Sequence, residues 1–113
     1  MCDKDLLNTL LQKVAEYSKE VFKDKLKNVI LYGSYARGDF DNESDIDVMI
    51  MVDLPPEELS KYRETILDYC VDLNIEHLVL IMPKLQSKQL FDEWKDVLPF
   101  YQNVIKEGVE IYG

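Results

Sequence analysis

The run Ile46 to Val52 is almost continuous hydrocarbon, rich in branched residues, and Pro55-Pro56 follows close behind it. Such a run reads as a strand that must end before the prolines. Pro56 then suits the first turn of a helix through about Val71, with Glu57 and Glu58 near its positive end and Leu59, Tyr62, Ile66, Leu67 and Tyr69 on its apolar side. Leu73 to Met82, LNIEHLVLIM, reads as a third strand closed by Pro83. Strand, helix, strand is a crossover unit, so these two strands are expected in one sheet and in parallel.

The remaining segments fit around that unit. Leu6, Leu7, Leu10, Leu11, Val14, Tyr17 and Val21 recur at three- and four-residue steps, which predicts an amphipathic helix from Lys4 to Phe22. Asn28 to Tyr32 is a short apolar run ending at Gly33, the pattern of a buried strand and a turn. Ser87 caps a helix through Trp94 or Lys95, Pro99 opens another that ends at Gly108, and Val109 to Tyr112 suits an edge strand. The expected fold class is α/β (α+β), a small mixed β-sheet flanked by helices. No repeat, low-complexity segment or linker interrupts the chain, so residues 1–113 are read as one domain.

Composition narrows the function. The chain has 13 basic and 22 acidic residues, a net charge of -9. That balance opposes an extended nucleic-acid surface, which rests on clustered Lys and Arg. Cys2 and Cys70 lack any CxxC or Cys/His companion and read as free thiols in a reducing compartment. The N-terminus carries acids where a secretory signal needs a basic region, and no apolar run approaches membrane-spanning length. The expected location is the cytoplasm.

Against this background Asp45 and Asp47 are expensive, because a strand of this kind is more stable without buried carboxylates. Alternation puts both on one face, with Cα atoms roughly 6.5 to 7 Å apart. Unpaired, they would repel and raise each other's pKa, whereas a hard divalent cation supplies the missing charge and takes oxygen ligands. Upstream, Gly33 lets the backbone turn and approach a ligand, and the Ser34 hydroxyl with neighbouring N–H groups can hold phosphate oxygens. Arg37 lies within reach of the same polyphosphate. A salt bridge from Arg37 to Asp39, Asp41 or Glu43 is an equally good account of that residue.

Gly33-Ser34, ten residues, then Asp45-Ile46-Asp47 resembles the GS-x(10)-DxD pattern of the DNA polymerase beta-like nucleotidyltransferase superfamily. The wider stretch YGSYARGDFDNESDIDVMI is similar to the minimal nucleotidyltransferases, including antitoxin partners of HEPN-domain toxins. The resemblance implies transfer of a nucleoside monophosphate, AMP from ATP, to a protein or small-molecule acceptor, with release of pyrophosphate. It implies two Mg2+ ions held by Asp45 and Asp47, a triphosphate seated by Gly33 and Ser34 with Arg37 assisting, and either a HEPN-like helical partner or a homo-oligomer.

The resemblance also implies a third carboxylate on the neighbouring strand. In LNIEHLVLIM the only acid is Glu76, and an alignment places Leu78 at the family's acidic position. Either Glu76 reaches the site from two residues earlier, as a catalytic and metal-binding residue, or the third ligand is missing. The second case favours a non-catalytic, antitoxin-like or regulatory module. His77 has no ligand-spaced companion and reads as a packing residue. Trp94, Phe100 and Tyr101 read as core or as a partner-facing patch.

Overall fold

The computed structural model describes residues 3–41 and 44–113. Four strands form one mixed sheet: β1 Leu26–Tyr32, β2 Ile46–Val52, β3 Ile81–Ser87 and β4 Val109–Tyr112, in the order β3-β2-β1-β4. β1 pairs antiparallel with both β2 and β4, while β2 and β3 are parallel, as the crossover required.

Helix α1 spans Lys4–Phe22, starting where the Asp3 side chain accepts a hydrogen bond from the Leu6 N–H. It packs on one face of the sheet with α4, Arg63–His77. Leu10, Val14, Ile66, Cys70 and Leu73 close over Val29, Leu31, Ile46, Val48 and Ile50. Full burial of each aliphatic side chain contributes roughly 1.5 to 3 kcal/mol. Cys70 sits deep in this layer, and burial pushes its thiol up to about 11; Cys2 lies outside the described residues.

The opposite face carries Met49 and Met51, covered by Phe91 of α5, Lys88–Trp94, and by Tyr101 and Val104 of α6, Pro99–Glu107. Because side chains alternate along β2, Ile46, Val48 and Ile50 enter the first layer while Met49 and Met51 enter the second. Asp47 belongs to the second set and is only half-buried, unlike Met49 and Met51.

The crossover differs from the sequence expectation. Pro56 opens only a short turn, α3 Pro56–Leu59, followed by a 3-10 turn over Ser60–Tyr62 and then by α4. α4 runs on through His77, so Leu73 to His77, expected in strand three, are helical. Leu78 ends the helix with φ of 54°, a left-handed cap in which glycine is the usual residue.

β3 therefore begins at Ile81 and contains Pro83 instead of stopping before it. A proline fits there because β3 is an edge strand. The Ile46 N–H donates to the Leu80 carbonyl, so Leu80, Met82 and Lys84 direct their backbone groups toward β2, while Ile81, Pro83 and Leu85 direct theirs outward. Pro83 has no N–H to leave unpaired. The outward groups of Ile81 are both taken by Asn74: its Oδ1 accepts from the Ile81 N–H at 2.7 Å, and its Nδ2 donates to the Ile81 carbonyl at 3.2 Å. The front half of this edge is thereby closed to another strand.

Candidate active site

The site forms where β1 and β2 meet α2, Ser34–Arg37. Gly33 has φ of 77° and ψ of −156°, a conformation that side chains rarely adopt, and it turns the chain from β1 straight into the α2 turn. The Gly33 carbonyl accepts from the Ala36 and Arg37 N–H groups, each at 3.1 Å. A Cβ added to Gly33 would overlap the Asp47 carboxylate. Glycine is required twice over, for its backbone angles and for the missing atom.

Asp47 pairs across the sheet with Tyr32, so these two side chains share a face. Burial raises the Asp47 carboxyl above the ordinary aspartate value; the neighbouring Asp45 charge raises it further, and Arg37 opposes both. Burial, and then Asp47, push the Tyr32 phenol up to about 12. Negative charge at Asp47 is thus held with too little compensation. Two adjacent oxygen-donor carboxylates, one of them resisting ionisation, fit a hard divalent cation.

Tyr32, Gly33, Arg37 and Asp47 line a cleft of about 290 Å³, whose other wall is the Phe100, Asn103, Val104 and Glu107 face of α6. Phe100 packs edge-on against Tyr32 at 5.6 Å. Tyr101 is core, but Phe100 is a cleft residue and Trp94 is exposed. Sequence reasoning missed the α6 wall, although Phe100, Asn103 and Glu107 fall at the i, i+3, i+7 spacing of one helix face. Arg37 crosses the mouth, with Nε 3.2 Å from Asp39 and a terminal nitrogen 3.5 Å from Glu107. The Asp39 bridge was among the expected partners, and the Glu107 bridge was not; Glu43 lies outside the described residues.

Glu76 does not join this group. It occupies the last turn of α4, whose buried side chains pack on the sheet face opposite Asp47, and its side chain is 68% exposed. Among the described residues no three His, Cys, Asp or Glu side chains are grouped to hold a metal ion. On β3 the residue beside Asp47 is Met82, and Lys84 lies next along the same face, its amine 5.8 Å from the Phe100 ring. His77 packs with Nε2 buried and 3.7 Å from Glu76, too far for a hydrogen bond.

The family model described as a nucleotidyltransferase domain matches residues 10–108. The chain belongs to the nucleotidyltransferase family. Two relatives from Methanocaldococcus jannaschii agree. One, named "Putative protein adenylyltransferase MJ0604", is 35% identical over 94 residues, covering 83% of this chain and 86% of its own. The other, named "Putative protein adenylyltransferase MJ0141", is 34% identical over 105 residues, covering 90% and 98%.

Among solved structures, a toxin-antitoxin crystallised with AMP-PNP superposes with a TM-score of 0.55 at 17% identity, covering 90% of this chain and 73% of that one. A mutant of the toxin-antitoxin MntA-HpeT gives 0.54 at 15%, with the same coverage. These structures share the fold of the nucleotidyltransferase described here. Among its described residues no helix is long and apolar enough to cross a membrane.

Proposed function

We propose that this nucleotidyltransferase moves AMP from ATP to a hydroxyl of a protein or small-molecule acceptor, with Mg2+ held by Asp45 and Asp47. The observation that carries the reading is the contact between Gly33 and Asp47, which brings a glycine turn against one carboxylate of the pair. In the reaction the acceptor oxygen bonds to the α-phosphorus, the bond from that phosphorus to the bridging oxygen breaks, pyrophosphate leaves, and the hydroxyl proton passes to water.

Gly33 and Ser34 seat the triphosphate on the α2 turn, and Arg37 exchanges Glu107 for a phosphate oxygen. Asp45 and Asp47 fix the cation side, and Tyr32, Phe100 and α6 bound the cleft. Two divalent ions, when bound, supply positive charge that activates the acceptor hydroxyl and stabilises the leaving phosphate. The names of the two M. jannaschii relatives favour a protein as acceptor.

The test uses ATP labelled at the α-phosphate, Mg2+ and a candidate acceptor. Labelled acceptor is expected with the wild type and none with Asp45→Asn or Asp47→Asn. Full transfer in both variants overturns the assignment.

A second reading, an antitoxin-like binding module that works with a HEPN-like helical partner and little catalysis, is favoured by one observation. Met82, not an acid, stands beside Asp47 on β3, and the next residue on that face is Lys84. Nucleotide binding and partner inhibition that persist without any transferred label would support it, and detectable AMP transfer would count against it.

A further inference from the structure

α4 is apolar on two sides. Ile66, Cys70 and Leu73 are buried against the sheet, but Leu67, Val71 and Ile75 form a second row within roughly 80° of arc, which the cap residue Leu78 extends past the helix end. That row faces solvent, with Ile75 71% and Leu78 90% exposed. Among the described residues none covers this row, since it is the other side of α4 that packs on the sheet. Beside its upper end a groove of about 140 Å³ runs between α4 and the β3 edge, lined by Arg63, Ile66, Leu67, Pro83 and Leu85.

Along the outer border of the row, Glu64, Asp68, Asp72 and Glu76 recur every four residues. Among the described residues Glu64, Asp68 and Asp72 have no basic partner, and Glu76 meets only His77 at 3.7 Å. Helix surfaces commonly offset such a ladder of like charge with Lys or Arg at the same spacing. Here the compensation is missing along the helix.

We propose that this face of α4 is a docking site for an amphipathic helix of a partner protein. That helix lays an apolar stripe on Leu67, Val71, Ile75 and Leu78 and presents a flank of Lys or Arg to Glu64, Asp68, Asp72 and Glu76. The row rises about 16 Å, so three turns of partner helix span it. Charge decides against a second copy of this chain, which carries the same acidic ladder and the same net charge of -9. Backbone chemistry opposes an added strand along the front of the adjoining edge, where Asn74 takes both outward groups of Ile81 and Pro83 has no N–H to offer. The site lies on the sheet face away from Asp47 and does not rest on the proposed transfer reaction.

The probe is a synthetic amphipathic helical peptide of about 18 residues with a leucine stripe flanked by lysines, compared with the same peptide bearing glutamates. Hydrogen exchange of the full chain with the lysine peptide is expected to protect residues 64–78. Affinity for the lysine peptide is expected to fall about tenfold in Asp68→Lys/Asp72→Lys and likewise in Val71→Asn/Ile75→Asn, while the glutamate peptide is expected not to bind the wild type. These positions are exposed, and an unchanged circular dichroism melt confirms folding. Protection elsewhere, equal affinity in the variants, or sedimentation showing a dimer that Ile75→Asp dissociates overturns the proposal.

Discussion

Gly33 and Asp47 are in such close contact that no side chain fits between them. A Gly33→Ala change has nowhere to put its methyl group and must also hold φ of 77°. The expected cost is roughly 1 to 3 kcal/mol of stability, read as a lower melting temperature. Binding of Mg2+ with α,β-methylene-ATP is expected to fall further than stability does, because the displaced carboxylate is the one proposed to hold the ion.

The raised Asp47 carboxyl sets a pH dependence whose sign is fixed. Between the ordinary value of 3.8 and its higher value in the fold, the folded chain holds more protons at this group than the unfolded chain. Its contribution to stability therefore falls as pH rises through that window. In EDTA, Asp47→Asn should be more stable than wild type at neutral pH and lose that advantage toward pH 3.8. Added Mg2+ should raise the melting temperature of the wild type and leave the variant unmoved.

Arg37 is held by Asp39 and Glu107 across the cleft mouth. Glu107→Gln removes a competitor for the guanidinium, so the Mg2+-nucleotide complex should bind more tightly, whereas Arg37→Ala should weaken it by about tenfold. Titration calorimetry of both variants checks the opposite signs.

The β3 position beside Asp47 is open to a carboxylate. Met82 is exposed and shares the Asp47 face, so Met82→Asp should fold normally and raise Mn2+ affinity by about tenfold through one more charged ligand. Glu76→Gln, on the far face, should change it little. Equal losses or gains in the two variants, measured by Mn2+ electron paramagnetic resonance, would contradict this geometry.

Much of the architecture was legible because strong periodicity and punctuation coincide. α1 and β2 have the expected bounds, and Ser87, Pro99 and Gly108 punctuate α5 and α6 as read. LNIEHLVLIM failed for a physical reason. An apolar run shared between a helix end and a strand start has no period of its own, and the stop between them is Leu78 in a glycine conformation. Pro83 then read as a terminator, since the edge position that tolerates it is a tertiary fact. The same slip put Glu76 on the wrong layer. The nearness of Gly33 to Asp47 was foreshadowed by a glycine closing one strand and an aspartate opening the next, whereas Glu107 joins Arg37 only through the packing of α6, seventy positions away.

The two hydrogen bonds between Asn74 and Ile81 act as a false strand, mimicking the neighbour that β3 lacks. At that end of β3, anything that settles against the flank meets side chains and not a backbone ladder. The outward side chains of α4, Leu67, Val71 and Ile75, belong neither to that bond pair nor to the buried layer, so they can be exchanged one at a time without shifting the register of β3. The proposed docking face and the proposed cation site thus lie on separate surfaces of one small chain, free to change at different rates.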